Sequence, residues 1–449
     1  MKRTSFTKKG LIPVFILMLV WMTACSNGGG NNNGSANGDN DSGNSGGEKE
    51  VSLRFSWWGG EDRHVATLKA IDLYMEQNPN VHIEAEYGGF DGYQQKLSTQ
   101  FAGGTAPDLV QLATNFAADY KNMLLDFDTV KDQIDTSKFQ DSFLENYASI
   151  DGMWLGMPMG VNGSTIIYNK DFLKEFNIPE DTVWNWDNLV TVGEQVQSQD
   201  AESYLLNMDL DQMYRLLLQP YVNQRTGNQW INDDFTTGFD EAALTDAFTY
   251  IKTLLDKGII QPFQQSSLYQ GEPWLNPKWL QGDMGMLFAL ASNISAVQTD
   301  DIELGVARSP IAEDAKTSSV LITATALVGV NKDSEHIDEA VKFANWLVTD
   351  EEAAKILGTV RSVPPVQANS DILTQEGSLD ANVAKAVELA LSDAGNPVNV
   401  PSNDVELGSV AKSYLERVGF GADTPEVAAK AMMKEYADLL DDLKAAAAK

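Results

Sequence analysis

The chain has 449 residues and carries 64 Asp and Glu against 32 Lys and Arg, a formal net charge of −32. An acidic excess of that size argues against nucleic acid and anionic lipid surfaces as partners. With Cys25 as its one cysteine, the chain can form no internal disulfide.

The first ten residues hold Lys2, Arg3, Lys8 and Lys9 and no acid. Leu11 to Trp21 is an apolar run of signal-peptide length, short for a membrane span. Met22-Thr23-Ala24-Cys25 follows and resembles a bacterial lipobox, with Met22 where Leu is commoner. The reading is a lipoprotein signal over 1–24 and a lipidated Cys25; a plain secretory signal ending near a stray cysteine is the alternative. Two acyl chains on Cys25 suffice for stable anchoring. Ser26 to Gly47 is nearly all Gly, Asn, Ser and Asp, which cannot bury apolar area and predicts a flexible tether over 25–47.

From about Glu48 the composition becomes globular, with length for two or three domains. Val51, Leu53, Phe55 and Trp57 alternate with polar residues, the period of a strand. Val65, Leu68, Ile71 and Met75 recur at helical spacing up to Asn78-Pro79. A second strand (Val81 to Tyr87), a second helix (Tyr93, Leu97, Phe101) and a third strand (Leu109 to Leu112) follow. This alternation predicts an α/β fold with a parallel sheet, whose ligands lie beyond the carboxyl ends of the strands. Those ends carry Trp57 and Trp58, Tyr87 and Gly88, then Thr114 and Asn115. Further on, Gly152 to Lys170 reads as a turn and then a β-prone run, with Gly160, Asn162 and Gly163 as soft joints. It is either a crossover between two domains or an ordinary strand-turn-strand.

WWGGEDRH (57–64), GGTAPDLVQLATN (103–115), GMWLGMPMGVNGSTIIYNKDFL (152–173), WLQGDMGMLFALASN (279–293), HIDEAVKFANWLVTDEEAAKIL (336–357) and RSVPP (361–365) occur in that order. Together they resemble the extracellular solute-binding proteins of sugar ABC importers, family 1, above all the oligosaccharide branch. WWGG followed by RH further resembles binders of pectin-derived oligosaccharides. The resemblance implies a two-lobed periplasmic-binding-protein-like fold (type II), each lobe a mainly parallel sheet flanked by helices, with three interlobe crossings. These fall near Gly160 to Gly163, Gly305 to Pro310 and Thr349 to Glu352. Lobe one is then 48–161 plus 307–350, and lobe two 162–306 plus 351–449.

Sugar recognition needs aromatic rings for the C–H faces and placed polar groups for the hydroxyls. Trp58 ends the first strand on the side opposite core-facing Trp57 and is a candidate stacking residue. Trp230, Trp274 and Trp279 lie in lobe two, where cleft walls can form. Asn115, Asn162 and the Ser292-Asn293 pair match polar positions of the family; local backbone capping is the competing role for each Asn. The loop before Ser292 lacks the Gly-x-Trp of some relatives, which leaves Phe288 as a substitute. Arg63 sits at a helix start, where a cation opposes the helix dipole. With Arg361, and with Glu61 nearby, it is a candidate for a sugar carboxylate; neutralisation by Glu61 or Asp62 is the competing role.

No nucleophile elbow, zinc motif or phosphate loop is present in the sequence, and His64, His82 and His336 have no ligand spacing. Asp233, Asp234 and Asp240 lack an EF-hand's spacing. A cell-surface glycosidase is the main rival reading and a lectin-like adhesin the second. The resemblance implies a monomer without cofactor, metal or catalysis, anchored by its lipid to the extracellular face of the bacterial plasma membrane. Its partners are an oligosaccharide and two integral-membrane permease subunits with a cytoplasmic ATPase. Sugar bridging both lobes favours their closure.

Overall fold

The computed structural model describes residues 50–114, 116–140, 143–150, 152–299 and 301–447. Cys25, the tether and Asn115 lie outside the described residues. No helix among the described residues is long and apolar enough to cross a membrane.

The opening alternation forms as its periodicity predicts. β1 (Val51–Trp58), α1 (Glu61–Gln77), β2 (Val81–Gly88), α2 (Tyr93–Ala102) and β3 (Leu109–Leu112) follow in order. β1 pairs in parallel with β2 on one side and β3 on the other. Leu53, Phe55 and Trp57 are fully buried on one face of β1. α1 brings Ala70, Ile71 and Tyr74 into the same core. Glu61 and Asp62 occupy the first turn of α1, where acids suit the helix dipole. Asn78 ends it, its Nδ2 donating to the Tyr74 carbonyl at 2.9 Å.

A short hairpin, β4 (Ser149–Ile150) and β5 (Met153–Trp154), leads into β6 (Met157–Asn169), buried along all 13 residues. β7 (Tyr204–Asn207), β8 (Met284–Leu290), β9 (Leu304–Ala307) and β10 (Ile322–Val330) complete the set. The main sheet runs β2-β1-β3-β10-β6-β8-β7, with β9 also on β6. β10 enters antiparallel to β3 and β6, and β8 and β9 antiparallel to β6, while β7 and β8 are parallel. The sheet is therefore mixed, with its parallel pairs toward the outside.

β6 changes partners along its length. Its first half, Met157 to Gly163, pairs with β10; its second half, Ser164 to Asn169, pairs with β8 and β9. The change of partner falls at Gly163/Ser164, beside the soft joints of the sequence. Two of these glycines are sterically required. A Cβ on Gly160 would stand 2.0 Å from the Arg361 carbonyl oxygen, and one on Gly163 2.4 Å from Ala390 Cβ.

Past β9 the chain is held by Gln224, whose Nε2 donates to the carbonyls of Pro310 at 2.9 Å and Ser318 at 2.7 Å. It leaves at Val320 to Ile322, where Ser164 Oγ accepts from Leu321 N. At Thr349 to Glu352 there is only a kink between two helices, because Asp350 caps the helix Glu351–Leu357. That helix packs on α1, and Gln77 Nε2 reaches Glu352 Oε2 at 2.9 Å. The RSVPP loop comes back to β6. Val363 bridges to Val161, and the helix Ala381–Ser392 then packs on β6 and β9. The C-terminal helices Val405–Gly419 and Pro425–Ala447 cover the helix Glu241–Asp256 of the second lobe.

Candidate functional site

The carboxyl ends of β1 and β2 carry an aromatic group. The Trp58 ring lies 5.5 Å from Phe90, 5.1 Å from Tyr93 and 6.1 Å from Phe116, centroid to centroid. These neighbours leave Trp58 only 9% exposed, whereas Phe90 is 54% exposed. Trp58 thus backs the cluster and Phe90 offers the open ring. Sequence reasoning missed Phe90; the available signal was a lone aromatic in the glycine-rich turn Gly88-Gly89-Phe90-Asp91-Gly92. Gly92 needs its glycine, with φ at +77°. Tyr87, also exposed, stacks on Trp57 at 5.0 Å. His64 Nδ1 accepts from Trp57 Nε1 at 3.1 Å, which occupies that histidine in the core.

Arg63 leans back from its helix over the end of β1. Its Nε donates to the Val360 carbonyl at 2.9 Å and its Nη1 to the Trp58 carbonyl at 3.1 Å. Among the described residues it makes no ion pair, so neither Glu61 nor Asp62 neutralises it; Glu61 is exposed on the first turn. Partial burial lowers the Arg63 pKa. Arg361 stands behind it and is only 6% exposed. Its Nε donates to Gln111 Oε1 at 3.1 Å and its Nη2 to Thr67 Oγ1 at 2.9 Å. Burial first, then the Arg63 charge, brings the Arg361 pKa down to about 9. Arg361 is thus shielded from a ligand as large as a sugar, a correction to its expected place on the carboxylate.

Asn162 and Ser292 meet at the crossing. Asn162 Nδ2 donates to Ser292 Oγ at 2.8 Å, and its Oδ1 accepts from Ser292 N at 3.1 Å and Gly163 N at 3.0 Å. Asn293 Oδ1 accepts from Leu290 N at 3.0 Å. The capping role therefore operates in both asparagines, and Asn162, 7% exposed, has little left for a ligand.

The second lobe's tryptophans divide. Trp230 is 1% exposed and spends its Nε1 on Tyr436 Oη at 3.2 Å. Trp279 is fully buried, and Phe288 packs against Trp186 in the interior. Trp230 and Phe288, both candidates for the sugar, are core residues: Trp230 packs on Tyr436 of the C-terminal helix and Phe288 on Trp186. Trp274 is half-buried against the first core and keeps an open edge. Asp240 caps a helix, Asp234 closes a turn on Thr236, and Asp233 accepts from Asn399 Nδ2 at 2.7 Å. Among the described residues no three acids, histidines or cysteines group as metal ligands.

Comparison with known proteins identifies the frame that holds these residues. The family model described as bacterial extracellular solute-binding protein matches residues 69–389. The sn-glycerol-3-phosphate-binding periplasmic protein UgpB of Shigella flexneri is 23% identical over 383 residues, 79% of this chain and 84% of that one. An arabinooligosaccharide-binding protein of Halalkalibacterium halodurans is 29% identical over 155 residues, 33% of this chain and 34% of that one. A periplasmic oligogalacturonide-binding protein from Yersinia enterocolitica superposes with a TM-score of 0.77 at 22% identity, over 88% of this chain and 100% of that one. The fold is that of the type II periplasmic solute-binding proteins. The match over more than two thirds of the chain shows that it belongs to the bacterial extracellular solute-binding protein family.

Proposed function

We propose that this chain captures an oligosaccharide outside the cell and hands it to the permease of an ABC importer, and that uronate-containing, pectin-derived oligosaccharides are its preferred cargo. One observation carries the reading: an open aromatic ring, Phe90 on Trp58, next to a cation, Arg63, at the carboxyl end of a parallel sheet. The ring suits the C–H face of a pyranose and the cation suits its carboxylate. With Nε and one Nη1 hydrogen held by carbonyls, the second Nη1 hydrogen and both on Nη2 are left for the sugar carboxylate. Arg361, buried behind, adds positive potential in a chain that is otherwise strongly acidic.

Capture proceeds by closure of two lobes about β6, whose change of partner at Gly163/Ser164 makes a natural joint. The closed form docks on two permease subunits, and a lipid on Cys25 holds the chain at the membrane. Titration of the protein with oligogalacturonides should change tryptophan fluorescence, compact the scattering profile and return the sugar intact. Shortened sugar products, or no response to any oligosaccharide, contradict the reading.

A further inference from the structure

Arg361 is a buried cation that pairs with no anion among the described residues. The described ion pairs of the chain include none at Arg361 or at Arg63. Arg361 Nη1 is sealed from solvent and has no hydrogen-bond partner. A second sealed donor without a partner, Gln111 Nε2, belongs to the amide whose Oε1 accepts from Arg361 Nε. Turning that amide over would set an N–H against the guanidinium N–H, so the bond fixes the orphaned donor where it is. Tyr93 Oη donates to the Gln111 carbonyl at 2.9 Å, which holds the strand in place as well. Two orphaned donors thus lie in the interior, and the Arg63 charge beside Arg361 adds to its uncompensated positive charge.

Burying a charge unpaired is costly, and leaving buried donors unmet adds to the cost. At 6% exposure Arg361 is out of reach of a bulky sugar, so the missing partner must be small. A cavity of about 30 Å³ adjoins Arg361 and is walled by Met159, Leu347, Val348, Pro364 and Pro365. That is room for one water or one halide-sized ion. A water would meet the donors but leave the charge.

We infer that a small monovalent anion of chloride size resides in the cavity at Arg361, accepting from its orphaned Nη1. The site lies behind the sugar-facing surface, on the loop that carries RSVPP. Its occupant neutralises a guanidinium that Gln111 of β3 and Thr67 of α1 hold in place, and so steadies that loop. The Arg361 carbonyl accepts from Thr325 Oγ1 at 2.8 Å, which ties the same residue to β10.

The test uses the full chain without any sugar, so its outcome is independent of the cargo assigned above. Thermal unfolding is followed as chloride replaces methanesulfonate, a bulkier monovalent anion, at constant ionic strength. A saturable rise of the midpoint by about 1–3 °C is expected for an ion that binds the folded state alone. Arg361→Gln and Gln111→Met should each flatten that response. Bromide soaked into crystals of the unaltered protein should give an anomalous peak within hydrogen-bond distance of Arg361 Nη1, which decides the matter even where a variant does not fold. An unaltered protein indifferent to chloride, a response undiminished in both variants, or no bromide peak overturns the inference.

Discussion

Asn162 and Ser292 lie 130 residues apart in sequence, yet the Asn162 amide holds Ser292 by both Oγ and backbone N, at 2.8 and 3.1 Å. The pair straps β6 to the turn after β8, at the point where β6 changes partners. Asn162→Ala should therefore act on the joint before it acts on the sugar. Loss of a buried amide that leaves polar partners unmet costs about 1–3 kcal/mol. Thermal melting without ligand should show that loss; an unchanged midpoint with weakened sugar binding would return Asn162 to direct contact.

Gly160 is fixed by its neighbour across the joint. A methyl group there would overlap the Arg361 carbonyl, 2.0 Å away. Gly160→Ala should destabilise by about 1–3 kcal/mol or more, as overpacking does. Gly60, where an added Cβ meets nothing within 4 Å and φ is −89°, is the control; Gly60→Ala should melt close to the original.

Phe90 and Trp58 divide support from contact. Phe90→Ala should weaken sugar binding by about 1–3 kcal/mol, the usual loss for an aromatic hot spot, with little change in melting. Trp58→Ala removes the packed ring beneath it and should cost roughly 3–5 kcal/mol of stability. Calorimetric binding and thermal scans on both variants check this; equal stability losses would contradict the division.

Cys25→Ser tests the anchor. The variant should leave the membrane fraction or accumulate as an unprocessed precursor, read by fractionation and intact mass. Unchanged processing and retention would refute lipidation.

The first five elements were legible because period-two and helical spacings stand out where one face is buried, as in Leu53, Phe55 and Trp57. The change of partner within β6 falls beside Gly160, Asn162 and Gly163, residues that mark a joint whatever its partners. The hold on 308–318 was not legible: Gln224 lies nearly a hundred positions away, and no local pattern records that pairing. Trp230 and Phe288 lie in the core for the same reason: their partners, Tyr436 and Trp186, stand far off along the chain. Arg361 is the instructive case. Arginine usually lies at the surface, so its spacing and neighbours gave no sign that Thr67 and Gln111 would enclose it.

Calorimetry of the full chain with trigalacturonate and with maltotriose tests the central claim most directly, with Arg63→Gln run beside it. The account predicts tighter binding of the acidic sugar, and for the variant a loss of about 1.5–3 kcal/mol on that sugar, the worth of a charged hydrogen bond, with a smaller loss on any neutral one. Tight binding of maltotriose alone, or equal losses on both sugars, would contradict it.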